Sequence, residues 1–283
     1  MGNYIKRYWP VFVLPTLAAF IIGFIWPFIW GTYLSFFSFK TLSKTTFVGF
    51  QNYIDLFGKA NFGFTDALGR TVIFTAITSV LINVIAFFIA LALTRKLKGS
   101  NVFRTVFFLP NLIGGIVLGF TWKTLLNGVL SGMNMELLAL NATHGFWGLV
   151  ILTCWQQIGY MMVIYIAGLQ NVPGDILEAA AIDGATPLQT LVKIKLPMVM
   201  PSITICAFLT LTNSFKLFDQ NLALTGGEPN GTSQLLALNI YKTFTEYPKF
   251  KGVAQAKAFV FFLMVVAISL IQLYFTKRKE VQQ

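Results

Sequence analysis

The most regular pattern along the chain is a series of long apolar runs separated by short clusters of charge. Arg7 and Lys40 enclose 32 residues without an acidic or basic side chain, and Arg70 and Arg95 enclose 24. A helix needs about 20 apolar residues to cross the hydrocarbon core of a bilayer, so runs of this length predict membrane spans. The six predicted spans cover residues 10–38, 70–94, 105–126, 145–169, 201–224 and 254–276.

Composition gives the same fold class. Hydrophobic residues make up 56% of the 283 residues and charged residues 11%, whereas a soluble domain carries about 25% charge. This composition excludes a soluble globular enzyme and a disordered chain. We therefore predict an all-α membrane protein, a six-transmembrane-helix bundle formed as one domain by residues 1–283.

The positions of lysine and arginine predict the orientation of this bundle. The basic clusters near the span ends are Lys6 and Arg7, then Arg95, Lys96, Lys98 and Arg104, then Lys277, Arg278 and Lys279. Six crossings place all three clusters on one side, and such clusters mark the cytoplasmic side. We expect a multi-pass protein of the cell membrane with both termini in the cytoplasm. The formal charge of +11 then reflects loop anchors, and no binding to nucleic acid is expected.

Residues 171–200, between the fourth and fifth spans, begin with signals for a short helix. Pro173 and Gly174 interrupt the preceding helix. Asp175 is predicted to cap a new helix, with Glu178 three residues later as its reciprocal partner. The three alanines that follow Glu178 are strong helix formers, and they are small enough to let another backbone approach.

A tight turn and a second helix follow. Gly184 suits the left-handed residue just past a helix end. Thr186 is predicted to cap the next helix, with Pro187 at its first position and Gln189 three residues after the cap. The pattern predicts a helical hairpin on the cytoplasmic face. On these signals alone, a structured connector is the alternative.

The same loop carries a spaced motif. Glu178-Ala179-Ala180 is followed after three residues by Gly184, after nine more by Ile194, and then by Leu196-Pro197. This full spacing, between spans four and five of a six-span chain, resembles the EAA loop in the permease subunits of binding-protein-dependent ABC importers. Further segments are similar to the carbohydrate-type members, which are the maltose, glycerol-3-phosphate and multiple-sugar permeases. These segments are residues 47–53, 213–219 and 224–227.

The resemblance implies a type I ABC importer permease in which the hairpin contains a coupling helix. Such a helix docks into a cleft on a cytoplasmic ATP-binding subunit, and ATP-driven closure of two such subunits switches the bundle from inward-facing to outward-facing. The ATPase-coupling residues implied in this chain are Asp175, Glu178, Ala179, Ala180, Asp183 and Gly184. The implied partners are a second homologous permease in a heterodimer, two copies of the ATP-binding subunit, and an extracytoplasmic sugar-binding protein. ATP and Mg²⁺ belong to the partner subunits, so this chain is expected to bind no cofactor.

Motifs for nucleotide binding and catalysis are absent from the sequence. The chain has neither G-x-x-x-x-G-K-[ST] nor G-x-G-x-x-G, so its energy must come from a partner. One histidine, His144, and two separated cysteines, Cys154 and Cys206, predict no metal site, and both cysteines are expected to be buried free thiols. No nucleophile–base–acid set is visible, so we expect a transport subunit and no enzyme. A self-sufficient secondary transporter or channel stays open as the alternative, with Asp219 as its candidate carboxylate.

Polar residues inside a predicted span are candidates for function, and the fifth span holds the richest set. These residues are Asn213, Lys216, Asp219 and Gln220. At about 100° per residue, they fall within an arc of roughly 120° on one continuous helix. They are predicted to line the path of a sugar and to offer it amide and charged groups. For Lys216 and Asp219, a structural ion pair is the alternative.

Two other features predict helix packing. Asn83, in the second predicted span, is expected to face another helix. Gly115-x-x-x-Gly119, in the third, permits close contact with another helix. We interpret the glycine pair as an ordinary packing feature.

Overall fold

A computed structural model describes residues 2–41, 43–58, 62–95 and 98–277. In these residues the chain is mostly helical, with one two-stranded antiparallel sheet. The α-helices are α1 Gly2–Phe20, α2 Trp26–Leu34, α3 Gln51–Phe57, α4 Phe64–Leu93, α5 Ser100–Phe108, α6 Gly115–Gly132, α7 Ala142–Gln170, α8 Gly174–Ile182, α9 Pro187–Thr190, α10 Leu196–Met198, α11 Met200–Phe215, α12 Asp219–Leu224, α13 Leu236–Glu246 and α14 Lys251–Lys277. The strands are β1 Phe37–Thr41 and β2 Lys44–Phe47. Short π-helices cover Ile21–Ile25 and Leu191–Lys195, and 3-10 helices cover Leu109–Leu112 and Pro248–Phe250.

Helices long and apolar enough to cross a membrane occur near all six predicted spans. Four are continuous: Trp9–Leu34, Phe64–Leu93, Ala142–Gln170 and Pro248–Lys277. Two are bent pairs: Ser100–Leu112 with Gly115–Gly132 at 101°, and Pro187–Met198 with Met200–Phe215 at 70°. The described residues therefore give four spans, or up to six if each bent pair is one span. Six crossings and cytoplasmic termini stay predictions, and the cations Lys96, Arg278 and Lys279 lie outside the described residues.

The first predicted span, 10–38, extends beyond its helix. The helix ends at Leu34, and Phe37 and Ser38 belong to β1. The prediction is wrong at this end because the chain changes from helix to strand without a charged residue. A count of uncharged residues does not register such a boundary.

The chain forms two compact units. The first consists of Met1–Phe64 and Ile240–Phe262, and the second of Thr65–Asn239 and Leu263–Gln283. In the first unit, β1 and β2 pair with Phe37 opposite Phe47. Asn52 on α3 donates hydrogen bonds from Nδ2 to the carbonyl oxygens of Ser35, at 2.7 Å, and Phe37, at 3.0 Å. These bonds hold the end of the first membrane helix and the start of the sheet against α3.

The first unit also buries a lysine. Lys257 on α14 is fully buried, and its Nζ donates a hydrogen bond to Thr243 Oγ1 at 2.8 Å. The ammonium lies 5.5 Å from the ring centroid of Phe62 and 5.8 Å from that of Phe64. A hydroxyl and aromatic faces both stabilise a cation that has left water.

Three helices of the second unit are joined by polar contacts in addition to its apolar core. Asn83 on α4 donates from Nδ2 to Thr210 Oγ1 on α11 at 2.8 Å, and Tyr165 on α7 donates its hydroxyl to Asn83 Oδ1 at 2.6 Å. Thr78 on α4 also donates to Ser214 Oγ on α11 at 3.0 Å. These bonds join α4, α7 and α11 and confirm the prediction that Asn83 faces another helix. Each such bond in a membrane protein contributes about 0.6 kcal/mol on average.

The predicted glycine pair lies where α6 contacts α12. A Cβ on Gly115 would stand 2.8 Å from Asp219 Cβ, and a Cβ on Gly119 would stand 2.6 Å from Ala223 Cβ. Any larger side chain would separate the two helices, so the predicted close contact is confirmed. The contact also fixes the position of Asp219, which is one of the candidate path residues.

Candidate functional site

The loop between α7 and α11 begins with a helix, as predicted, but its first cap differs. α8 starts at Gly174, and its N-cap is Pro173, which has φ −60° and ψ 135° and no capping side chain. The prediction that Asp175 caps this helix with Glu178 is therefore wrong. Pro173 already holds the extended backbone of an N-cap, so the helix starts earlier and Asp175 lies inside its first turn. There the carboxylate still interacts favourably with the positive end of the helix dipole.

The turn after α8 has the predicted left-handed glycine. Gly184 has φ +76°. Its amide donates to the carbonyl of Ala181 at 3.1 Å, and the amide of Ala185 donates to the carbonyl of Ala180 at 2.9 Å. This pair of bonds is a Schellman cap, in which glycine is the residue that adopts the left-handed position most readily.

The second helix of the loop has the predicted capping box. The Gln189 amide donates to Thr186 Oγ1 at 3.3 Å, and the Thr186 amide donates to Gln189 Oε1 at 2.8 Å. Pro187 occupies the first helical position. We call residues 174–190 the hairpin below. Both sides of its turn are fixed by bonds within the hairpin itself.

The outer surface of the hairpin is open. The exposed members of the predicted coupling set are Asp175, Glu178, Ala179, Asp183 and Gly184. Ala180 is only 8% exposed, so it contributes to packing and offers little contact to a partner. Ile182, the last residue of α8, is 86% exposed. The sequence prediction omitted Ile182, which stands two residues before the glycine of the turn.

The four candidate path residues meet in one cavity of about 340 Å³ in the second unit, called the polar cavity below. Its lining residues are Asn111, Gln156, Gln157, Asn213, Lys216, Leu217, Phe218, Asp219 and Gln220. They come from three parts of the chain: the 3-10 helix after α5, the middle of α7, and the segment from α11 to α12. The predicted grouping of Asn213, Lys216, Asp219 and Gln220 is thus present in the structure.

The geometry behind that grouping differs from the prediction. α11 ends at Phe215, and α12 begins at Asp219, so the predicted span 201–224 is not one continuous helix and the predicted arc is wrong. Leu217, between the two helices, is buried in the apolar core. The sequence has no glycine or proline at this break. The break coincides with the packing of Leu217 into the core and not with a residue that disfavours a helix.

A hydrogen bond joins two helices at the polar cavity. Gln220 Nε2 donates to Gln156 Oε1 at 2.7 Å, and Gln156 Nε2 donates to the carbonyl oxygen of Ile113 at 3.2 Å. Both ends of the Gln156 amide are therefore occupied by protein groups. The half-buried amide of Asn213 makes no hydrogen bond to another described residue, which leaves it available to a ligand.

Three polar residues that line the cavity were not predicted. They are Asn111, in the third predicted span, and Gln156 and Gln157, in the fourth. The spans were predicted from the distance between charged residues, and this count does not register uncharged polar side chains. Two adjacent glutamines in the middle of the fourth span were the available signal, because polar groups inside a span are functional candidates by default. Gln157 is 7% exposed, and its Oε1 is buried without a hydrogen-bond partner in the described part of the chain.

The charges in the polar cavity are separate. Lys216 and Asp219 are both exposed, and no distance from Lys216 Nζ to the Asp219 carboxylate falls within 4.0 Å. The structure therefore does not contain the alternative structural pair. A cation and an anion line the same cavity, each available to a third group.

Groups that bind metals are dispersed. No group of three or more His, Cys, Asp and Glu side chains that could hold a metal ion occurs among residues 2–41, 43–58, 62–95 and 98–277. Cys154 and Cys206 are buried free thiols, as predicted. His144 Nδ1 is hydrogen-bonded to the carbonyl oxygen of Glu136 at 2.7 Å, which is consistent with a structural role.

The chain belongs to the family of binding-protein-dependent transport system inner membrane components, which matches residues 85–281, a range that includes the hairpin and the polar cavity. The resemblance in the EAA loop is thereby confirmed. The chain is thus a multi-pass permease component of an importer, which sets aside a self-sufficient transporter.

Individual relatives agree with this family. The chain is 42% identical to the probable starch degradation products transport system permease protein AmyD of Thermoanaerobacterium thermosulfurigenes, over 97% of this chain and 95% of the relative. It is 31% identical to the multiple sugar-binding transport system permease protein MsmF of Streptococcus mutans, over 98% of each. The fold matches a chain of the bacterial alginate ABC transporter crystallised with its alginate pentasaccharide-bound periplasmic protein. That match has a TM-score of 0.80 at 20% identity, over 98% of this chain and 97% of the other.

Proposed function

We propose that this chain forms half of the translocation pathway for a carbohydrate in an ATP-driven importer. A second homologous permease forms the other half in a heterodimer. Two copies of an ATP-binding subunit hold ATP and Mg²⁺ and supply the energy, and an extracytoplasmic binding protein delivers the sugar. The chain itself crosses the bilayer six times with both termini in the cytoplasm, and it carries no catalytic residue and no cofactor.

The observation that carries this proposal is the hairpin. Its turn is fixed on one side by the Schellman cap and on the other by the capping box, so it responds to a force as a rigid body. Its exposed surface combines small, acidic and apolar groups around Glu178, Ala179 and Ile182. We assign docking on the ATP-binding subunit to this surface, with Ala180 supporting it from inside.

The polar cavity supports a carbohydrate as the substrate. Amide side chains both donate and accept hydrogen bonds, and so do sugar hydroxyls. The names of the two relatives above refer to starch degradation products and to multiple sugars, which are substrates of the same chemical class. Maltooligosaccharides, which are the soluble products of starch breakdown, are therefore the first substrates to test.

Cysteine cross-linking tests the coupling surface. Ala179→Cys and Ile182→Cys are expected to form disulfide cross-links to cysteines introduced in the cleft of the co-expressed ATP-binding subunit, because both positions are exposed. Ala180→Cys, one residue away and buried, is the matched control and should not link. The measurement is the gel shift of the permease in membranes. If neither exposed position links while the two subunits co-purify, the hairpin is not their contact.

Alanine substitution tests the substrate path. Asn213→Ala and Gln220→Ala are each expected to raise the KM for uptake about tenfold, the effect of a lost hydrogen bond to the substrate. Thr212→Ala is the control, since the Thr212 hydroxyl donates to the Phe208 carbonyl of its own helix at 2.8 Å. Uptake of labelled maltotriose is measured at equal membrane levels of permease. Wild-type KM values in both variants would remove these residues from the path.

A further inference from the structure

We propose that a second cavity, at the base of the hairpin, binds an anionic phospholipid, with the phosphate on Arg95 and Lys195 and an acyl chain against leucine side chains. This cavity has a volume of about 620 Å³ and lies within the second unit; it is called the hairpin cavity below. Its volume is in the range of about 300–1,000 Å³ that small-ligand pockets occupy. It shares no lining residue with the polar cavity, so the inference goes beyond carbohydrate import.

The first step is the position of the hairpin cavity relative to the membrane helices. Arg95 lies two residues after the end of α4, and Leu169 is the residue before the last one of α7. Both helices are long and apolar enough to cross a bilayer, so their ends lie near the level of the lipid headgroups. Leu177 and Leu188 of the hairpin complete the lining. The cavity is therefore at the depth where a phospholipid has its phosphate and the first part of its acyl chains.

The second step is the charge of the hairpin cavity. Arg95 and Lys195 line it, and none of its lining residues is acidic. In the described part of the chain, neither cation has a carboxylate oxygen within 4.0 Å. Basic pockets at the ends of membrane helices attract the headgroups of anionic lipids, and a guanidinium group can bind two phosphate oxygens at once.

The third step is the apolar part of the hairpin cavity. Leu188, on α9, is 69% exposed. A soluble anion such as inorganic phosphate would leave this side chain and its neighbours in water, whereas an acyl chain would cover them. The cavity thus matches an amphiphile with an anionic head. The leucines that line it are Leu91, Leu169, Leu177, Leu188 and Leu191.

Photolabelling of the assembled transporter in phosphatidylcholine nanodiscs tests the inference. The probe is phosphatidylglycerol with a diazirine in one acyl chain, and mass spectrometry identifies the labelled peptides. Label is expected on the peptides that contain Leu177 and Leu188. A phosphatidylcholine probe with the same diazirine should not label these peptides above the level of other membrane-facing segments. Unlabelled phosphatidylglycerol should compete with the probe, and inorganic phosphate should not.

A charge variant and its matched control test the headgroup contact. Arg95→Gln combined with Lys195→Gln is expected to lower the labelling of both peptides about thirtyfold at a subsaturating amount of probe, because each cation near the membrane surface attracts the anionic lipid. Lys98→Gln combined with Lys193→Gln removes the same charge two or three residues away. Neither lysine lines the hairpin cavity, so this control should be labelled as strongly as wild type.

Ala181→Leu tests the acyl-chain contact and keeps both cations. Ala181 lines the hairpin cavity and is exposed on α8, so a larger side chain fills space that the acyl chain would occupy. Displacement of about two methylene groups is expected to lower the labelling of both peptides about tenfold.

Several results would overturn the inference. These are equal labelling of wild type and the Arg95 and Lys195 variant, an equal loss in the Lys98 and Lys193 control, and equal labelling by the phosphatidylcholine probe, which would indicate ordinary boundary lipid. Competition by inorganic phosphate would indicate a site for soluble anions instead. Absence of label from both peptides would show that the cavity is empty or covered by another subunit. If the charge variant does not assemble, the lipid preference of wild type and the Ala181→Leu result decide. Sugar uptake is not measured in this experiment, so its failure would leave the proposed carbohydrate import intact.

Discussion

Gly159→Leu is expected to prevent folded permease from accumulating in the membrane. A Cβ at this position of α7 would collide with the carbonyl oxygen of Phe107 on α5. That oxygen belongs to the backbone and cannot rotate away, so the two helices would have to separate. Overpacking of a well-packed core costs about 1–3 kcal/mol and more when the backbone must move, and the separation would also displace Gln156 and Gln157. We expect the yield of monodisperse permease after detergent extraction to fall at least about tenfold.

A glycine with open space around it provides the control for this prediction. Gly128→Leu on α6 adds the same side chain where a Cβ meets no atom within 4 Å, so its yield should equal that of wild type. Similar yields of Gly159→Leu and Gly128→Leu would show that α5 and α7 do not approach each other as described.

Gly184→Val is expected to uncouple transport from ATP hydrolysis while the permease still inserts and assembles. The residue has φ +76°, and a Cβ there meets no neighbouring atom. The whole effect therefore comes from the backbone. A left-handed conformation costs an L-residue about 1–2 kcal/mol, and a β-branched side chain costs more. Release of this strain would open the Schellman cap and change the angle of the hairpin. Uptake per ATP hydrolysed should fall about tenfold, as measured with labelled sugar in proteoliposomes.

Gly174→Val is the matched control for Gly184→Val. Gly174 lies at the start of α8, its added Cβ also meets no atom within 4 Å, and its φ is not left-handed. It should retain the wild-type ratio of uptake to hydrolysis. If Gly184→Val retains that ratio too, the shape of the turn does not transmit force.

Structural features that depend on neighbouring residues alone were predictable from the sequence. Thr186 and Gln189 form their capping box, and Gly184 adopts the left-handed turn, because both depend on bonds within four residues. The end of α11 at Phe215 was not predictable in this way, since the break follows from the packing of Leu217 into a core built by other helices. The hairpin could therefore be predicted from local interactions, whereas the end of α11 depends on tertiary packing.

The residues of the polar cavity show the same difference between what the sequence predicts and what depends on the fold. Lys216 and Asp219 were accessible to prediction because they stand out in an apolar run. Asn111 and Gln157 also stand out as polar residues inside apolar spans, but their place beside Lys216 was not predictable, because they lie far away in sequence and only the fold brings them to the same cavity. For such residues the sequence supplies the polar group but not its neighbours.

The length of α7 determines how far its middle is displaced when the end next to the hairpin tilts. Gln157 lies 13 residues before Gln170, where the helix ends next to the hairpin, which is an arm of about 20 Å at 1.5 Å per residue. The bonds from Tyr165 to Asn83 and from Asn83 to Thr210 brace this arm against α4 and α11. A tilt of about 10° at the hairpin end would carry Gln157 and its neighbour Gln156 through about 3 Å. If α12 stays in place, a displacement of this size breaks the 2.7 Å hydrogen bond between Gln156 and Gln220.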